Sequence, residues 1–137
     1  MKIDSSSFVA DPELMNALDA FATPMECSKG TVLFTQGEPP EGLYILQAGA
    51  VELAMTAPNG REIFRVTVSA GAVLGLPALI GNQPYSLTAT ATENARVTFV
   101  PREKFYRLMA ENPALSLSIL RVLAAEVRTA RFAITEA

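Results

Sequence analysis

The chain has 137 residues, half of them apolar, with 11 basic and 14 acidic side chains for a net charge of −3, no histidine and one cysteine, Cys27. That is enough apolar mass for one packed domain rather than a disordered chain. The mild negative charge gives no electrostatic footprint for nucleic acid. One thiol and no imidazole exclude an iron–sulfur cluster, a histidine-ligated haem and a histidine-built metal site.

The N-terminal residues, Met1-Lys-Ile-Asp-Ser-Ser-Ser, contain no apolar run of signal-peptide length, and no segment approaches a membrane span. A cytoplasmic location is therefore expected. Residues 1–24 read as an arm followed by a short helix. Asp11 supplies an N-cap, Pro12 a first-turn proline and Glu13 a first-turn acid, opening a helix to about Ala20. Leu14, Met15, Leu18 and Phe21 recur at helical spacing and are expected to face the barrel.

From residue 25 to residue 100 short runs rich in Val, Ile, Thr and aromatics are broken at regular intervals by Gly, Pro and Asn, the pattern of a small antiparallel sandwich or jelly roll. Strands are expected over Lys29–Phe34, Leu43–Leu46, Ala50–Thr56 and Arg61–Val68. Val51, Leu53 and Met55 alternate with Glu52 and Thr56, so one face of that strand is buried. Asn59-Gly60 is a hairpin signal of type I′, since both residues tolerate positive φ. Cys27 is expected to be an ordinary buried residue.

Residues 71–89, Gly-Ala-Val-Leu-Gly-Leu-Pro-Ala-Leu-Ile-Gly-Asn-Gln-Pro-Tyr-Ser-Leu-Thr-Ala, are apolar at both ends and punctuated by Gly and Pro between. They read as a strand running into a one-turn helix and a loop, then out along a strand from Leu87 to Thr92. Ala95–Val100 closes the roll, and residues 101–137 are helical. Pro101–Glu111 forms one helix with Phe105, Leu108 and Met109 on its apolar face, and Asn112-Pro113 ends it. Ala114 to about Ile134 is the longest helical pattern. Leu120, Leu123, Val127, Ala130 and Ile134 step by 3 and 4 as an a/d seam. Either this stripe covers the roll or it joins two copies. Leu115, Leu117, Ile119 and Val122 widen the apolar surface enough for both.

Gly71, Gly75, Ala78, Leu79, Pro84 and Thr88 fall on the pattern of the phosphate-binding cassette in cyclic nucleotide-binding domains, the effector domains of Crp/Fnr regulators, which the chain resembles over about residues 25–134. The resemblance implies a mainly β fold, a double-stranded β-helix or jelly-roll β-roll with a short N-terminal helix and a long C-terminal dimerisation helix. It also implies a ligand pocket at Gly75, Leu76, Pro77, Ala78, Tyr85, Ser86 and Leu87, with Leu53 and Leu74 lining it and Arg131 reaching in from the long helix. The family's ribose-binding glutamate falls at Leu76 and its phosphate-binding arginine at Tyr85. A leucine accepts no hydrogen bond, a phenol is a poor substitute for a charged fork of donors, and Pro77 has no N–H to offer an anion. The family's base-contacting polar residues on the long helix fall at Ala130 and Arg131.

The expected function is thus a Crp/Fnr-like regulatory module, homodimeric, whose cassette accepts another small ligand or none. Two alternatives stand beside it. One is a weak cAMP or cGMP sensor in which Arg131 and Ser86 hold the phosphate; the other is a ligand-free interaction or dimerisation domain. No cofactor or metal is required and a cyclic nucleotide is disfavoured. Regulators of the family continue into a helix-turn-helix domain, which these residues do not contain, so no direct contact with nucleic acid is expected of them. Scattered single carboxylates assemble no acid–base pair or nucleophile, so an enzyme is not expected.

Overall fold

The computed structural model describes Val9 and residues 11–136, with side chains through Arg128. Its elements run α1 (Pro12–Asp19), β1 (Thr23–Cys27), β2 (Val32–Phe34), β3 (Gly42–Ala48), β4 (Val51–Thr56), β5 (Glu62–Val68), β6 (Val73–Leu74), α2 (Leu76–Gly81), β7 (Thr88–Ala91), β8 (Ala95–Pro101), α3 (Arg102–Glu111), a 3-10 turn (Pro113–Leu115) and α4 (Ser116–Glu136). The strands form two four-stranded antiparallel sheets, ordered β1-β8-β3-β6 and β2-β7-β4-β5. This is the expected β-roll with flanking helices. Among the described residues no single helix is long and apolar enough to cross a membrane.

The two sheets enclose one apolar cluster, and the helices build a second on the outside of the first sheet. β3 shows why. Tyr44 and Leu46 belong to the roll interior, whereas Leu43 and Ile45 belong to the helix-side cluster. A strand buried on both faces reads as a continuous apolar run, which is how Leu43-Tyr44-Ile45-Leu46 reads. β6 is divided likewise, with Leu74 inside and Val73 outside.

α1 begins where expected. The Asp11 carboxylate accepts a 2.9 Å hydrogen bond from the Leu14 N–H. That bond, then Ser118 and Arg121 of α4, holds its pKa below the usual carboxylate value. Leu14 and Leu18 are fully buried, and they pack in the helix-side cluster rather than in the roll interior.

Several boundaries differ from the sequence expectation. An edge strand, Thr23–Cys27, precedes the expected first strand Lys29–Phe34, and the sequence reading places no strand there. Four of its five residues are exposed, so pairing with β8 rather than an apolar pattern defines it. Lys29 and Gly30 lie in a turn, and only Val32–Phe34 of the expected Lys29–Phe34 strand joins the ladder. The Asn59-Gly60 hairpin is not type I′, because only Gly60 has positive φ. Gly60 N–H donates to Ala57 C=O and Ala57 N–H to Arg61 C=O, both at 2.8 Å. The loop therefore has three residues, Pro58, Asn59 and Gly60, with Gly60 supplying the left-handed step. Asn59 spends its side chain instead, its Oδ1 accepting from the Arg61 N–H at 2.9 Å.

Candidate functional site

The cassette is built from β6, α2, the loop Asn82–Leu87 and β7. Gly75 makes the corner from β6 into α2 with φ at 98°. A Cβ there would lie 3.1 Å from Tyr85 Cε1 and 3.3 Å from the Gly42 carbonyl oxygen. The corner therefore has both the conformation and the close approach that favour glycine.

Tyr85 fills the space that this glycine leaves. Its ring stacks on Phe34 with centroids 4.2 Å apart and planes 23° apart, and only 4% of the residue is exposed. Its hydroxyl donates to Gly42 C=O at 2.7 Å and accepts from the Glu41 and Gly42 N–H groups, each at 3.2 Å. The backbone is tied as well, with Tyr85 N–H donating to Glu38 C=O and Gly37 N–H donating to Tyr85 C=O. All the polar capacity of this residue is thus committed to the turn before β3. The ring row continues from Phe34 to Tyr44 at 5.7 Å and from Tyr44 to Phe99 at 4.9 Å. Burial pushes the Tyr44 phenol up to about 12, with smaller contributions from Tyr85 and nearby acids, so it stays neutral under ordinary conditions.

The other expected site residues divide. Leu53, Leu74, Ala78 and Leu87 belong to or pack on the roll interior together with Tyr85. Leu76 does not. Its side chain is fully buried in the helix-side cluster with Leu79, Phe105, Ile119 and Val122, so it turns away from the roll interior that it was expected to line. The reason is the short helix: Leu76 and Leu79 are three apart and share the face that meets the helices. Pro77 and Ser86 are exposed. Arg131 lies outside the described side chains, as do Ala130 and Ile134. Cys27 is buried in the roll interior, which raises its thiol pKa.

α2 is fastened to the helices by more than leucines. The Tyr106 hydroxyl of α3 donates to Leu79 C=O at 2.6 Å. Through Leu76 and Leu79 the cassette helix therefore shares one packed cluster with Ile119 and Val122 of α4.

The proposed a/d seam is uneven. Leu120 is 59% and Val127 49% exposed, and Leu117 is exposed beside them, so these residues leave an apolar stripe unpaired within the protomer. Leu123 is half-buried against the helix-side cluster and belongs to the flank of that stripe rather than its centre.

One residue escaped the sequence reading. Leu115 of the 3-10 turn and Ile119 and Val122 of α4 are buried along one side, and Glu126 follows at the next helical step. Its Oε2 is buried without a hydrogen-bond partner, and burial pushes the carboxyl up to about 8. The signal was present as a lone acid at a 4-3-4 position of an apolar stripe.

Residues 24–112 match the cyclic nucleotide-binding domain family. The chain is 29% identical over 118 residues to the CRP-like cAMP-activated global transcriptional regulator of Mycobacterium tuberculosis, a span of 86% of this chain and 53% of that protein. It is 24% identical over 125 residues to the anaerobic regulatory protein of Bacillus subtilis, covering 90% of this chain and 52% of that one. The chain spans about half the length of these curated relatives. Among solved structures, the Thermus thermophilus catabolite activator protein superposes with a TM-score of 0.77 at 24% identity, over 89% of this chain and 57% of that one. The extent of the family match, together with the two-sheet roll and its helices, establishes that the chain belongs to the cyclic nucleotide-binding domain family and is a sensor module of the Crp/Fnr type.

Proposed function

We propose that this chain is the non-catalytic sensor of a transcription regulator, dimeric through α4, whose cassette accepts a small ligand other than a standard cyclic nucleotide, or none. The observation that carries the reading is Tyr85. Its ring rests against Gly75, the corner from which an anion would approach α2, and its hydroxyl is already committed to the backbone of Glu41 and Gly42. No guanidinium stands in the cassette, and the family's acceptor position holds Leu76, which is turned into the helix-side cluster. A cyclic phosphate entering here would have to displace a stacked aromatic and would meet neither a cation nor a ribose acceptor.

The output runs through shared packing. Because Leu76 and Leu79 sit in the same cluster as Ile119 and Val122, a ligand that moves α2 also moves the wall on which α4 lies. Close-packed clusters transmit such displacements because they have no slack.

Saturating cAMP or cGMP is expected to leave the thermal unfolding midpoint unchanged. A ligand present at about 100 times its Kd adds roughly 2.7 kcal/mol, a shift of on the order of ten degrees for a domain of this size. Such a shift would overturn the reading of the cassette and make this a cyclic nucleotide sensor with unusual contacts.

The dimer has its own test. Leu120 and Val127 are largely exposed in the protomer, so Leu120→Glu with Val127→Glu costs little within one copy while placing charges in the proposed seam. Sedimentation is expected to show a monomer with the circular dichroism of the parent. A parent chain that sediments as a monomer would remove the dimer from the proposal.

A further inference from the structure

α2 has little of its own to hold it in place. It has six residues, fewer than a helix needs to persist alone in water. Its N-cap is Gly75, which offers no side-chain acceptor, and its C-cap is Asn82, in the left-handed region at φ 50°. The Asn82 N–H is shared between the Ala78 and Leu79 carbonyls and lies 3.4 Å from the second, long for an N–H bond. The short bond at the Leu79 carbonyl comes from outside the helix, from the Tyr106 hydroxyl at 2.6 Å.

Tyr106 stands on the fixed side of this contact. Its neighbour Phe105 is fully buried in the helix-side cluster and seats α3, whereas Tyr106 is 41% exposed and its released phenol would meet water. Leu79 is fully buried, so its carbonyl gains water only if the end of α2 moves outward, where Ile80, Gly81 and Asn82 are already exposed. Opening the bond and shifting α2 are therefore one event. A hydrogen bond exchanged for water in this way favours the closed form by about tenfold. The contacts of Leu76 and Leu79 differ in kind. They weaken gradually as α2 shifts, while a directional bond is lost within about an ångström.

We propose that Tyr106 is the positioning residue of the cassette helix and that its bond to Leu79 is a latch. Closed, α2 travels with α3 as one body; open, α2 shifts by itself while the leucine cluster still joins it to α4. This rests on the reading of the chain as a sensor, and not on which ligand its cassette takes. A ligand that displaces α2 has to open the latch, so the bond sets the threshold for a response. Removing the hydroxyl lowers that threshold by the same factor by which the bond favours the closed form. A phenylalanine at this position would fill the same space and leave the Leu79 carbonyl unheld.

Amide exchange on the whole chain in low urea, followed by NMR, reads the latch. The probes are the Asn82 and Gln83 amides, which bond back into the last turn of α2, and the reference is the Leu46 amide, bonded to Ala72. In the parent the α2 amides are expected to exchange faster than Leu46 and almost independently of urea, the mark of a local opening that exposes little surface. Tyr106→Phe is expected to speed them about tenfold while leaving them independent of urea. Tyr106→Ala, which also removes the ring, is a second variant and is expected to speed them at least as much. Parent-like rates in either variant overturn the proposal. So do α2 amides that follow urea as Leu46 does, since α2 would then open only with the whole fold. A cAMP-induced midpoint shift alongside the expected exchange rates would overturn the reading of the cassette while the latch stands, so the two failures are distinct.

Discussion

Between about pH 5 and pH 8 the parent chain is expected to lose stability steadily, and Glu126→Gln to remain nearly level. The folded carboxyl titrates at about 8 against an ordinary value of 4.5. Across that window the folded chain retains a proton that the unfolded chain has released, so unfolding is favoured increasingly as pH rises. The stabilising contribution is complete below the unfolded value and is exhausted once pH passes the folded one. Each unit of separation corresponds to about 1.4 kcal/mol, and allowing for relaxation around the ionised group the loss is roughly 2–4 kcal/mol, a large share of a domain's stability.

Other groups act outside this window. Asp11 is shifted downward, so its contribution is gained as pH rises through the acidic range and is in place by pH 5. Tyr44 and Cys27 are shifted upward from values of 10.0 and 9.0, and their losses begin only in more alkaline solution. Urea unfolding at a series of pH values checks the expectation. A parent profile as level as that of Glu126→Gln would mean that the carboxyl is hydrated in solution.

Tyr85→Ala is expected to destabilise the fold by about 3–5 kcal/mol, the range for deleting a buried aromatic. The substitution removes the ring stacked on Phe34 and leaves the Gly42 carbonyl and the Glu41 and Gly42 N–H groups without their partner. Tyr85→Phe keeps the stack and loses only the hydroxyl, which points to a smaller cost of about 1–3 kcal/mol. Denaturant midpoints with unchanged slopes are the measurement. A near-neutral Tyr85→Ala would show that the ring lines an open site instead of filling it, and the cassette would then have room for a ligand beside Gly75.

These two residues also mark how far the linear sequence reaches. Local chemistry was legible in it. Asp11-Pro12-Glu13 opens α1 because cap, φ restriction and dipole all act within one turn, and the period-2 and turn signals between residues 25 and 100 belong to neighbouring residues. The cassette's order of strand, short helix, loop and strand could be read for the same reason. The replacement of charged and acidic side chains by Tyr85 and Leu76 is likewise a matter of residue type and needs no coordinates.

Where each side chain points was decided by the tertiary structure. Thr23–Cys27 carries no strand pattern and is a strand only because β8 lies beside it. Leu76 was expected beside the ligand and packs with the helices, since α2 presents one face to each cluster and only the packing of α3 and α4 selects which. Tyr85 could be recognised as an aromatic in a ligand position, but its commitment to Gly42 and Phe34 joins residues more than forty apart. Glu126 carries the same lesson in the other direction. On a helical stripe an acid is as consistent with the solvated edge as with the interior, and only the folded structure shows that its Oε2 is removed from water.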